Sequence, residues 1–302
     1  MRTLPAAIVI LFLAAGCGTS TTPASTDNAG AMIHVVAAEN FWGSLAMQLG
    51  GNRVDVTSII INPQTDPHDY EPTAADGRRI ASARYVISNG VGYDPWVGQL
   101  LSANPVSGRT TLSVGDLLGR KEGDNPHRWY FPGDVERVLK RITADYEHID
   151  AKDASYFEQR YQELETTGLA TYHGLLSEIK QKYAGTPVGA SESIFVGIAE
   201  ATGLNLITPS RYMTAISEGT DPTAQDKATV DDQIKNHLVK VFVFNSQNAT
   251  PDVKTLVDAA KASGIPTPTV TETLTPVNLN FEQWQSMELT ELRDALAKAT
   301  GR

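Results

Sequence analysis

The chain has 302 residues, 41% hydrophobic and 20% charged, the composition of a globular protein with one large core or two lobes of about 100–150 residues each. A formal net charge of −10 argues against a nucleic-acid partner, whose phosphates need a basic surplus, and mildly favours attraction of cations. The single cysteine, Cys17, excludes an intrachain disulfide.

The chain opens "MRTLPAAIVILFLAAGCGTS". Arg2 precedes an apolar run of about a dozen residues, too short to span a bilayer and read as an export signal over residues 1–16. Leu13, Ala14 and Gly16 before the lone Cys17 resemble a bacterial lipoprotein box. The mature chain is therefore expected to start at Cys17 with lipid attached, a plain secretory signal being the alternative. Residues 17–31 are rich in Ser, Thr, Gly and Ala, carry almost no apolar bulk, and read as a flexible tether to the membrane.

Strand-like apolar runs follow at 32–38, 54–61, 84–90, 186–191, 238–245 and 265–271. Several are β-branched on both faces, as strands buried in a parallel sheet are. Amphipathic stretches at 39–51, 74–83, 193–204, 229–237 and 252–264 alternate with them. The alternation predicts an α/β fold with mainly parallel sheets flanked by helices. Residues 153–185 break the rhythm. Phe157, Tyr161, Leu164, Gly168, Tyr172, Leu175, Ile179 and Tyr183 recur every three or four positions. That stripe predicts one continuous helix of roughly 45 Å, with two helices broken at Gly168 as the alternative. The expected organisation is an N-terminal lobe at 32–150, a linking helix at 151–185 and a C-terminal lobe at 186–302.

Two histidines stand in similar loops. His68, in "DPHDYEPT", lies between the end of strand 54–61 and a helix capped by Thr73 and Asp76. His127, in "NPHRWYFP", follows Asn-Pro and precedes a helix opened by Pro132. The C-terminal edge of an open α/β sheet is where ligands bind. His34, His148, His173 and His237 read as packing or surface residues. Asn248-Ala249-Thr250 spells a glycosylation acceptor, discounted because the export signal looks bacterial.

These two motifs, the long helix and the lipoprotein start resemble the metal-binding receptors of bacterial manganese and zinc ABC importers, the zinc/manganese solute-binding family. The resemblance spans essentially the whole mature chain. Tyr70, Glu71, Pro72 and Trp129 match its first-lobe motifs in place. It implies two α/β lobes joined by one long helix, and one divalent metal, Mn2+ or Zn2+, held in the cleft by two ligands per lobe. The implied ligands are His68 and His127 from the first lobe, and Glu192 and Glu272 from the second. Glu272 stands where the family usually has Asp. Glu192 at a helix N-terminus has an alternative reading, a carboxylate stabilised by the helix dipole. Nitrogen and oxygen donors without thiolate suit Mn, Fe(II) or Zn. Oxygen-rich ligation and the absence of histidine from residues 115–126 favour manganese; intrinsic affinity favours zinc.

The resemblance further implies a monomeric extracytoplasmic receptor, held at the cell membrane by its N-terminal lipid, that delivers metal to an importer permease and is not an enzyme. Two other functions fit the same residues. One is a metal-binding adhesion or scaffold lipoprotein; the other is a zinc hydrolase with an open metal position.

Overall fold

The computed structural model describes residues 32–65 and 70–302. The export signal, Cys17, the tether and His68 lie outside them. The first sheet has the order β2-β1-β3-β4, all parallel, from β1 (Ile33–Glu39), β2 (Val54–Ile60), β3 (Tyr85–Ser88) and β4 (Thr110–Ser113). The helices alongside are α1 (Asn40–Gly50), α2 (Ala74–Ser82), α3 (Pro95–Ala103), α4 (Val114–Leu118) and α5 (Pro132–Ile149). β1 is central and buried along nearly its whole length, which is why its residues are apolar on both faces; β2 sits at the edge and is half-exposed through its middle. Thr73 and Asp76 form a reciprocal capping box on α2, and Tyr70 donates its hydroxyl hydrogen to the same Asp76 carboxylate at 2.8 Å.

The stripe of residues 157–183 folds as helix, but not as one uninterrupted α-helix. α6 (Ala154–Glu163) passes into a π-helical turn, Leu164–Gly168, and α7 (Ala170–Tyr183) resumes beyond Leu169. The Leu169 N–H reaches back to the Leu164 carbonyl at 2.8 Å. A Cβ at position 168 would lie 2.7 Å from Leu164 Cδ1, so glycine lets Leu164 fold over the bulge. The apolar face survives the interruption: Phe157, Leu164, Tyr172, Leu175, Ile179 and Tyr183 are all buried.

The second sheet repeats the first, with order β6-β5-β7-β8 and all strands parallel. Its strands are β5 (Pro187–Ala190), β6 (Asn205–Leu206), β7 (Val241–Asn245) and β8 (Thr269–Val270). α8 (Val196–Thr202), α9 (Ser210–Ser217), α10 (Ala224–Lys235) and α11 (Pro251–Ala262) flank it. The last helix, α12 (Phe281–Thr300), starts from an Asn280–Gln283 capping box and packs on α7 and α1. In both sheets the chain reverses its winding beside the first strand, between β1 and β3 and between β5 and β7. That switch point opens a crevice at the strands' C-terminal ends.

One apolar core runs through both sheets and the helices between them. Phe41 stacks on Trp129 at 4.0 Å between ring centres, and Tyr130 meets Trp284 of α12 edge-on at 5.7 Å. Among the described residues no helix is long and apolar enough to cross a membrane.

Candidate metal centre

His127 follows Pro126 and leads into a short 3-10 turn, Arg128–Tyr130, before Pro132 starts α5. Its side chain is fully buried. The Asn125 Oδ1 atom accepts the His127 backbone N–H at 3.0 Å and lies 2.9 Å from ring Nδ1. Asn125 Nδ2 donates to the Ser193 carbonyl at 2.8 Å, which fixes the orientation of that amide. Nδ1 therefore carries the hydrogen and Nε2 the lone pair that a metal requires. Nε2 lies 3.5 Å from Glu272 Oε1. Trp129 and Tyr93 wall the ring at 5.4 and 6.2 Å between centres. Burial depresses the imidazole from 6.5 to about 4, against an opposing pull from the Glu192 charge, so the ring is neutral at physiological pH.

Glu192 stands just beyond β5, at the N-cap of the 3-10 turn Ser193–Phe195, yet its side chain makes no capping bond. Its Oε1 accepts from Asn245 Nδ2 at 2.6 Å and its Oε2 from Asn248 Nδ2 at 2.7 Å. The side chain is thus engaged in the crevice and not by the turn it precedes. Burial, reinforced by the nearby Glu272 charge, pushes its carboxyl up to about 8. Glu272, just beyond β8, accepts from Asn245 Nδ2 at 2.7 Å through Oε1 and from the Tyr93 hydroxyl at 2.8 Å through Oε2. Its longer side chain keeps two donors, one from each lobe.

His127, Glu192 and Glu272 each place one ligating atom within 4.8 Å of the other two, and all three are buried. The structure brings these three sequence-predicted residues together from three distant points of the chain. His68, the fourth, is outside the described residues. Two carboxylates offset a dication, and an imidazole with carboxylate oxygens is a donor set for Mn, Fe(II) or Zn. An open cleft of about 630 Å³ lies elsewhere, lined by residues such as Val86, Asp94, Thr111 and Arg141. The three ligating atoms of the cluster stand close enough together to share a single ion.

Of the remaining histidines, His34 is half-buried in β1 with Nδ1 3.2 Å from Asp55 Oδ2; His148, His173 and His237 are exposed. Sequence reasoning missed Tyr93, Asn125, Asn245 and Asn248. Asn245 alone left a signal, as the last residue of an apolar strand ending at the ligand-binding edge.

The family model described as "Zinc-uptake complex component A periplasmic" matches residues 35–295. The high-affinity zinc uptake system protein ZnuA of Bacillus subtilis is 25% identical over 257 residues, 77% of this chain and 76% of that protein. The manganese ABC transporter substrate-binding lipoprotein PsaA of Streptococcus pneumoniae is 24% identical over 282 residues, 86% of this chain and 84% of its own length. Among solved structures, the Mn-bound periplasmic metal binding protein from Candidatus Liberibacter asiaticus superposes with a TM-score of 0.72 at 18% identity. It covers 87% of this chain and 99% of its own.

Proposed function

We propose that this chain, which belongs to the zinc-uptake complex component A family, captures a divalent transition metal, Mn2+ or Zn2+, between its lobes and delivers it to the membrane permease of an ABC importer. The observation that carries the reading is the buried convergence of His127, Glu192 and Glu272 at facing sheet edges. His127 presents a neutral imidazole with its Nε2 lone pair toward the carboxylates. Glu192 and Glu272 supply the opposite charge. His68 completes the set from the first lobe. The metal is cargo, so the site binds it through side chains alone and performs no reaction on it. A hydrolase reading finds less support, because both carboxylates converge with His127 on one point, and neither stands apart from that cluster as the separate general base that a metal-bound water needs. The lipoprotein-like start at Cys17 supports a receptor tethered outside the cell membrane.

Metal analysis of protein purified without chelator, followed by titration of the stripped protein with Mn2+ and Zn2+, tests the reading. Bound metal in roughly one-to-one ratio is expected. His68→Ala and His127→Ala should each weaken binding by more than the ~10–100-fold typical of losing an outer partner of a ligand. No binding of either ion, or unchanged titrations in both variants, would overturn the assignment. Loss of metal-dependent uptake in a deletion strain would separate transport from a scaffold role.

A further inference from the structure

The segment that follows β7, Asn-Ser-Gln-Asn-Ala-Thr at 245–250, shows in the sequence only a strand end and a glycosylation signature. In the fold, its three amide side chains are turned toward the two carboxylates or the loop that carries one of them. We propose that Asn245, Gln247 and Asn248 form an amide clamp that positions Glu192 and Glu272 to share one cation, with Asn245 at its centre. The inference rests on the metal-capture reading above.

Asn245 is fully buried at the end of a central strand. Its backbone N–H donates to Ser191 Oγ at 3.1 Å, and its Oδ1 accepts the Gln247 N–H at 2.9 Å. The amide cannot flip without losing that acceptor, so its two Nδ2 hydrogens face the site. One goes to Glu192 Oε1 at 2.6 Å and the other to Glu272 Oε1 at 2.7 Å. A single planar group thereby fixes how far apart the two carboxylates stand. Gln247 secures the loop bearing Glu272. Its Oε1 accepts the Thr273 N–H at 3.0 Å, while Nε2 donates to Thr273 Oγ1 at 3.1 Å and Thr275 Oγ1 at 3.0 Å. Asn248 Nδ2 donates to Glu192 Oε2 at 2.7 Å and to the Ile216 carbonyl at 3.2 Å. Thr250 caps α11, its Oγ1 accepting from the Val253 N–H at 3.3 Å. The Asn248 amide is therefore committed inside the protein and not presented as a sugar acceptor.

An amide suits this task where a lysine or arginine would not. Two buried carboxylates repel each other and need donors to stay in place. A cationic donor would hold them but would also repel the incoming dication. An uncharged NH2 group orders both acids and leaves their charge for the metal. Each carboxylate oxygen has a second lone pair, so coordination does not require the clamp to open. These are positioning residues: they act on the ion through the carboxylates.

The test uses the full chain, stripped of metal, with Mn2+ and Zn2+ alone as probes. Asn245→Ala and Asn248→Ala should each weaken binding of both ions about 10–100-fold, the range for outer partners of metal ligands. At saturating Mn2+, the electron paramagnetic resonance spectrum of each variant should broaden relative to wild type, because unclamped carboxylates surround the ion in more than one geometry. A purely structural role would lower thermal stability and leave that spectrum unmoved. Affinities within about twofold of wild type, or an unchanged spectrum at saturation, would overturn the clamp while leaving metal capture intact. A wild-type protein that binds neither ion would overturn both. Should Asn245→Ala fail to fold, Asn248→Ala, in the half-buried loop, decides the matter.

Discussion

His127 and Glu192 depart from their ordinary proton affinities in opposite directions, and both departures favour the uncharged form. Unfolded, Glu192 would release its proton near 4.5; folded, it holds it to about 8. Across that window the folded state binds more protons, so the metal-free protein loses stability as pH rises through it. His127 works the other way: its folded value of about 4 lies below 6.5, so its contribution disappears as pH falls through that interval. A metal needs both groups deprotonated, and the proton it must displace near neutral pH is one held between Glu192 and its close neighbour Glu272. Metal affinity should therefore rise with pH toward about 8 and level off above. Without metal, the melting temperature of Glu192→Gln should overtake that of wild type as pH goes from 5 to 8.5. Thermal scans of both proteins would check this, and parallel pH curves would refute it. The proposed ligands were legible in the sequence because histidines and glutamates at strand ends are chemically conspicuous, and because a family resemblance grouped them. The residues that orient them were not. Asn125, Asn245 and Asn248 are of a type that fills loops everywhere, and only coordinates reveal that their hydrogens converge on one place.

At the scale of elements, periodicity located what is long or doubly buried and missed what is short. β2, β3, β5 and β7 fall within the predicted apolar runs, β1 extends one residue past its run to Glu39, and five predicted helices appear near their expected bounds. β4 and β6 escaped notice: Thr110–Ser113 is a polar edge strand, and Asn205–Leu206 has only two residues. Of residues 265–271 only Thr269–Val270 forms regular strand: Pro266 and Pro268 accept the Phe242 and Phe244 N–H groups at 3.0 and 3.2 Å but have no N–H to return. The π-turn was invisible because the apolar stripe stays in register across it. Gly197 hides a closer constraint. A Cβ there would lie 2.3 Å from the Tyr130 carbonyl oxygen, so α8 packs backbone-close on the turn that follows His127. Gly197→Ala must push the two apart. It should cost about 1–3 kcal/mol, as overpacking does, and should weaken metal binding by displacing His127. Denaturant unfolding and metal titration together check this. A variant of wild-type stability and affinity would show that the contact relaxes without consequence.

Taken as a whole, the molecule is built to hold its lobes nearly still. The core is continuous from β1 to α12, and hydrogen bonds cross between the lobes at several heights. Asn40 Oδ1 accepts the Leu274 N–H at 3.2 Å, Ser44 Oγ accepts the Phe281 N–H at 2.9 Å, and Gln48 Nε2 donates to Glu282 at 2.9 Å. Close to the site, Tyr93 reaches Glu272 and Asn125 reaches Ser193. Deeper, the Tyr130 hydroxyl donates its one hydrogen to Glu288 at 2.5 Å and accepts the Thr271 N–H at 3.2 Å, joining the residue three beyond His127 to the one before Glu272. A wide hinge would have to break most of these contacts and expose aromatic core, at a cost that a few metal bonds cannot readily offset. Uptake and release should therefore proceed through local movement at the crevice. Spin labels on the exposed residues Ser102, on α3, and Lys235, on α10, should report an interlobe distance that changes by about 2 Å or less when Mn2+-free protein is loaded with Zn2+. A change several times larger would mean that the cross-lobe bonds part during each cycle, and that the shared core is two surfaces in contact.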